Sequence, residues 1–163
     1  MGRICFTTGD FTAARDLFQK AIDLKPGFYV AHLDLKQAYD ALGATAESAV
    51  QNGRILEILP NYLLQNPDDA RARMFYAITL AETNRRAEAI AEGSKALELA
   101  PDDSLMLYNG ACLYAQLGEP KRAIATLREA IAAGVTNFQW MMNDPDLYSL
   151  HDDPEFQALV KEN

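Results

Sequence analysis

Apolar residues along the chain recur at helical intervals and are broken by turn residues at Gly9, Gly43, Asn84 and Gly118, which lie 34, 41 and 34 residues apart. Gly and Asn tolerate the left-handed backbone that ends a helix, so each predicts a helix C-terminus. Cys5, Tyr39, Leu80 and Tyr114 stand four residues before each turn and therefore on one side of the preceding helix. Two residue classes share one register of period 34, with seven extra residues in the middle gap. Small residues seven apart follow the turns: Ala14 and Ala21, Ala89 and Ala96, Ala123 and Ala130. Pro26 and Pro101 come five residues after the second alanine, and Val135 takes that place in the fourth unit. The pattern predicts helices of about 14 residues that turn and return antiparallel, the alanines letting the two axes approach to roughly 8–10 Å. Proline stops the second helix and opens the next pair. One pair cannot bury its apolar face alone, so pairs stack side by side into a solenoid.

The string Gly9-Asp10-Phe11, Ala14, Phe18, Ala21, Pro26, and the run Tyr108–Ala130, resemble the tetratricopeptide repeat. The resemblance covers residues 1–137, with units at 1–28, 29–62, 70–103 and 104–137 and an insert at about 63–69; the first unit lacks six positions. It implies an all-α fold, a right-handed α-α solenoid of antiparallel helix pairs forming a single domain over 1–163. The second unit departs most, with Lys36, Ser48 and Asn52 where the family prefers small or aromatic residues, and with Pro60 and Pro67 on its return helix. Seven residues are close to two helical turns, so a longer helix bent near Pro60 keeps Ile55, Leu56 and Leu59 in phase with Tyr62 and Leu63. A helix, a short turn and a new helical turn starting at Pro60 also fits.

The tail from Phe138 to Asn163 is not a repeat. Asp144-Pro145 and Asp153-Pro154 read as helix starts, Asp accepting from free amides and Pro filling the first helical position. Phe156, Leu159 and Val160 form one apolar side, and the segment should fold back as a cap over the fourth unit. The tail also holds six carboxylates (Asp144, Asp146, Asp152, Asp153, Glu155, Glu162) against Lys161, so five of the eight net negative charges fall there. Across 163 residues, 49% are hydrophobic, enough to bury a core and to set disorder aside. Fifteen basic against 23 acidic residues disfavour a nucleic-acid partner. Two cysteines make no disulfide scaffold, and the N-terminus lacks a long apolar stretch, so a reduced, cytoplasmic protein without a membrane anchor is expected.

Chemistry-bearing groups are sparse. His32 and His151 are isolated in the register, and no nucleotide-binding, hydrolase or zinc-protease string occurs. The aspartates of the tail lack the central glycine and spacing of a calcium loop, and helix capping accounts for them. Neither catalysis nor a metal or cofactor is expected.

What remains is a surface for another chain. The resemblance implies that the first helices line a concave groove through repeat positions 2, 5, 9, 12 and 13. In the second unit these are Val30, Leu33, Gln37, Asp40 and Ala41; in the third, Arg71, Met74, Ile78, Ala81 and Glu82; in the fourth, Leu105, Tyr108, Cys112, Ala115 and Gln116. Such residues at helical spacing also suit a plain stacking surface that neighbouring units or the tail cover. As a binding groove it would take a peptide or protein segment, with Tyr108, Met74 and Arg71 as anchors. The resemblance also implies that the clamp which captures acidic chaperone tails is absent: Leu33, Gln37, Phe75 and Leu105 hold its places and Asn109 alone matches. The second half and tail further resemble C-terminal repeat arms of bacterial signalling proteins, namely kinases, adenylate cyclases and winged-helix regulators. The shortened first unit predicts a second behaviour, in which Ala14, Phe18 and Ala21 lack a full partner helix and recruit another copy into a homodimer.

Overall fold

The computed structural model describes residues 1–161 and divides them into two compact units, which meet between Gln65 and Asn66. The first unit holds α1 (Gly2–Thr7), α2 (Phe11–Leu24), α3 (Tyr29–Ala41) and α4 (Thr45–Gln65). The second holds α5 (Ala70–Glu82), α6 (Arg86–Leu99), α7 (Ser104–Gln116), α8 (Pro120–Ala132), α9 (Phe138–Asn143), a 3-10 turn (Pro145–Leu150) and α10 (Pro154–Lys161). Glu162, counted with the acidic tail, lies outside the described residues.

The predicted turns form one device used four times. Gly9, Gly43, Asn84 and Gly118 all take positive φ, at 83°, 70°, 61° and 66°. The amide of the following residue then reaches back to a carbonyl in the helix: Asp10 to Cys5, Ala44 to Tyr39, Arg85 to Leu80 and Glu119 to Tyr114, at 2.8–2.9 Å. The residues that marked the register in the sequence are thus the acceptors that close each helix end. Helix starts are fixed by aspartate: Asp10, Asp69 and Asp103 accept from Ala13, Ala72 and Met106 at 2.9–3.0 Å.

In the first unit Ala14, Phe18, Leu35 and Ala38 form a small core joined by Cys5, Phe6, Ile22 and Tyr39. This corrects one expectation: Ala14 is fully buried and Phe18 only 7% exposed, despite the short α1. The reason is close packing at Gly2, where a Cβ would lie 2.5 Å from the Phe18 ring, so six residues of α1 suffice to cover it. The stretch around Pro60 is one 21-residue helix with Pro60 inside it, and Ile55, Leu59 and Leu63 line its buried side. Seven added residues keep those positions in phase, as the near-integral turn count requires.

In the second unit the alanine positions behave as spacers, with Ala89, Ala96, Ala123 and Ala130 all fully buried. Between the two pairs the contact is closer still. A Cβ on Gly93 would fall 2.4 Å from Leu113 Cδ2, and one on Gly110 would fall 2.9 Å from Leu97 Cδ2. Each helix therefore seats a leucine of the other over a glycine, which brings α6 and α7 together across the pair boundary. Met141, Leu147, Leu150 and Phe156 of the tail are at most 1% exposed and join the core of α7 and α8. Among the described residues no helix is long and apolar enough to cross a membrane.

Candidate functional site

The first helices α3, α5 and α7 carry the stripe positions. On α3, Val30 and Leu33 are half-buried and Gln37, Asp40 and Ala41 are exposed. Asp40 is already engaged: it accepts from Lys36 at 2.9 Å and from the Ser48 hydroxyl at 2.5 Å. That bond gives Ser48 a role an alanine at the same place would not have, because it ties the return helix to the end of α3.

On α5, Arg71 is exposed with its guanidinium 5.5 Å from the Phe75 ring, Glu82 is exposed, and Ile78 and Ala81 are half-buried. Met74 is 1% exposed, so it serves the core and is not open to a ligand. On α7, Leu105 stands 66% exposed and Gln116 is exposed, while Tyr108, Cys112 and Ala115 are buried. Of the three anticipated anchors only Arg71 lies at the surface; Met74 and Tyr108 do not.

The tail accounts for the burial on α7. The Tyr108 hydroxyl donates to Asp144 Oδ2 at 2.7 Å, the Gln116 amide donates to Asp146 Oδ1 at 2.7 Å, and the Ser149 hydroxyl reaches the Ala115 carbonyl at 3.4 Å. Asp144 also caps the 3-10 turn by accepting from the Asp146 amide at 3.0 Å. Burial, reinforced by the bond to Asp144, pushes the Tyr108 phenol above its ordinary range. Burial and the nearby carboxylates of Asp144 and Asp146 push the Cys112 thiol up in the same way. Cys112, Asp144 and Asp146 bring one donor atom each within 4.8 Å of one another. Asp144 thus caps a helical turn as expected, whereas Asp146 accepts from the Gln116 side chain in place of a helix start.

Two polar braces were missed in the sequence. His32 Nε2 lies 2.8 Å from the Pro26 carbonyl, to which it donates, and Nδ1 lies 2.8 Å from Gln51. Arg73 donates to the Pro67 carbonyl at 2.8 Å and pairs with Glu92. His32 and Arg73 hold the same repeat position, each six residues after a proline carbonyl and 19 before its partner on the return helix. The last repeat fills these places with Leu107 and Thr126. The recurring interval of 19 was the available signal. Both nitrogens of His32 are engaged, and the His151 ring stacks 5.6 Å from Phe156.

Repeated helix pairs closed by the same left-handed turn, spaced by alanine and ended by a docked cap, define a helical repeat protein of the scaffold class. Tetratricopeptide repeat profiles match residues 1–28 and 106–133, and another matches 57–104, together more than half of the chain. The chain belongs to the tetratricopeptide repeat family. Its fold is similar to that of a thermophilic tetratricopeptide repeat protein of Thermus thermophilus, with a TM-score of 0.60, 18% identity and coverage of 99% of this chain and 94% of that one. It is also similar to MamA, with a TM-score of 0.55, 19% identity and the same coverage. Among curated proteins it is 26% identical over 117 residues to a chloroplastic protein of Arabidopsis thaliana, covering 68% of this chain. It is 30% identical over 124 residues to Cellulose synthase operon protein C of Pseudomonas fluorescens, covering 76% of this chain. The match spans 35% of the first of these relatives and 9% of the second.

Proposed function

We propose that the chain is a non-catalytic interaction module that holds a peptide or protein segment against the faces of its first helices. The observation that carries this reading is the pairing of Arg71 and Leu105, the same repeat position on α5 and α7, both left exposed while the stripe residues Met74, Tyr108 and Cys112 are covered. An exposed guanidinium and an exposed leucine, with Glu82 and the half-buried Ile78 farther along α5, offer the mixed surface that binding segments use. A regulatory or scaffold role in the cytoplasm, as an arm of a bacterial signalling system, belongs to the same proposal. The clamp positions, with Leu105 exposed and only Asn109 matching, speak against an acidic chaperone tail as the ligand.

Arg71→Ala combined with Leu105→Ala tests the reading against partners recovered by pull-down and mass spectrometry. Binding should weaken by about 2 kcal/mol or more while the melting temperature stays within about 2–3 °C of the parent, since both side chains lie at the surface. Unchanged binding with these two residues gone rejects the groove. Self-association is a second reading. Ala14 and Phe18 are covered and no longer support it, but Ile4, Leu24, Val50 and Leu64 of the first unit are 59–88% exposed and could recruit a second copy.

A further inference from the structure

The contact between the tail and α7 is built like a bound peptide in a site. Along one stripe of α7 the helix supplies hydrogen-bond donors, the Tyr108 hydroxyl and the Gln116 amide, and the tail supplies the acceptors, Asp144 and Asp146. The segment between and beyond them is a single 3-10 turn whose Leu147 and Leu150 are 0% and 1% exposed, whereas Tyr148 beside them is 56% exposed. Every third side chain, Asp144, Leu147 and Leu150, thus goes into the surface, as 3-10 geometry requires, while Tyr148 and Ser149 face water. A segment that served only to close the apolar end of the solenoid would not need the buried bond between Tyr108 and Asp144, because burying a carboxylate costs free energy that apolar capping avoids.

We propose that this face of α7 is a receptor for a short acidic segment of the pattern Asp-Pro-Asp-Leu, held closed in cis by residues 143–150, and that a partner segment of the same chemistry enters by displacing them. Charge favours the exchange. Lifting residues 143–150 withdraws Asp144 and Asp146, two of the six carboxylates of the tail, from the donors that an acidic partner would use. A tethered segment competes at an effective concentration of the order of millimolar, which keeps the intact face closed to weak ligands. The proposal rests on the first-helix faces being binding surfaces, but it is scored on other residues than Arg71 and Leu105, so either can fail alone.

The test uses the full chain and a fluorescein-labelled peptide of sequence NDPDLYSL, read by anisotropy. Asp146→Ala with Leu147→Ala weakens the tail and leaves α7 intact. This variant should bind the peptide at least about tenfold more tightly than the parent chain, and adding Tyr108→Phe should remove most of the gain. Equal binding by parent and double variant, or a gain that survives Tyr108→Phe, overturns the proposal. Hydrogen exchange on the unmodified chain supplies a check that no folding defect can spoil. The amides of Leu147, His151 and Asp153, which bond to the Asp144, Tyr148 and Leu150 carbonyls, should exchange at least about tenfold faster than those inside α7 and α8. Exchange at one common rate means the segment never opens by itself and also overturns the proposal.

Discussion

Arg73 and Glu92 allow the energetics of one repeat to be tested with the solution found in its neighbour. Arg73 is 5% exposed and is held by Glu92 and the Pro67 carbonyl, and the Glu92 side chain is 28% exposed. One repeat further on, Leu107 and Thr126 occupy the equivalent places, 3% and 7% exposed, and the threonine hydroxyl returns to the Arg122 carbonyl at 2.9 Å. Glu92→Thr leaves a buried guanidinium with one carbonyl acceptor. Breaking a wholly buried pair costs about 3–5 kcal/mol, and the partial exposure of Glu92 lowers this to about 2–3 kcal/mol. Arg73→Leu frees Glu92 to swing toward water and should cost less, about 1–2 kcal/mol. The double variant transplants the apolar pair and should cost under about 1.5 kcal/mol, because a buried ion pair is readily replaced by well-packed residues. The three values give a coupling of at least about 1.5 kcal/mol. Urea unfolding followed through Trp140, the one tryptophan in the sequence and a residue of the second unit, measures all of them. A double variant whose cost equals the sum of the singles within about 0.5 kcal/mol would refute the idea that the two side chains act as one brace.

The thiol of Cys112 predicts a pH effect. Burial, then the charges of Asp144 and Asp146, raise its pKa, so the folded chain holds this proton more tightly than the unfolded chain. That contribution is fully present below the ordinary thiol range and is lost as pH rises above about 9, at up to about 1.4 kcal/mol per pH unit. Urea midpoints between about pH 7 and 10.5 should fall less steeply for Cys112→Ala than for the parent, and parallel curves would show that the thiol plays no part. Light scattering after gel filtration addresses self-association. If the exposed leucines of the first unit pair two chains, the mass rises above that of a monomer at high concentration and Leu64→Gln lowers it again; a monomer throughout ends that reading.

The helices and their ends were legible because few residues can do what those positions demand. A left-handed turn selects Gly or Asn, a tight crossing selects Ala, and both leave a mark that recurs with the repeat. The continuity of α4 through Pro60 was legible only as one of two alternatives, since proline suits both a bent helix and a new first turn. The braces were not read, because His32 and Arg73 are polar residues where the next repeat has Leu107, and a polar residue alone on a helix suggests the surface. Their burial depends on partners 19 residues away and on a proline carbonyl, which residue type does not announce.

The openness of the site was the hardest property to read, because it is decided by contacts between distant residues. Repeat position places Arg71, Met74, Leu105, Tyr108 and Cys112 on equivalent stripes, yet the bonds that close α7 join residues 36 and 30 apart, Tyr108 to Asp144 and Gln116 to Asp146. The periodic pattern carries no information about them, since the tail lies outside the repeat. The sequence assigns the aspartates of the tail to helix capping alone. On the face of α7, Asp144 is buried against the Tyr108 hydroxyl and Asp146 accepts from Gln116 at the surface, while Asp153 caps α10 and Glu155 pairs outward with Arg128. The stripe positions left exposed are therefore Gln37, Asp40 and Ala41 on α3, Arg71 and Glu82 on α5, and Leu105 and Gln116 on α7, a set that repeat position alone does not single out.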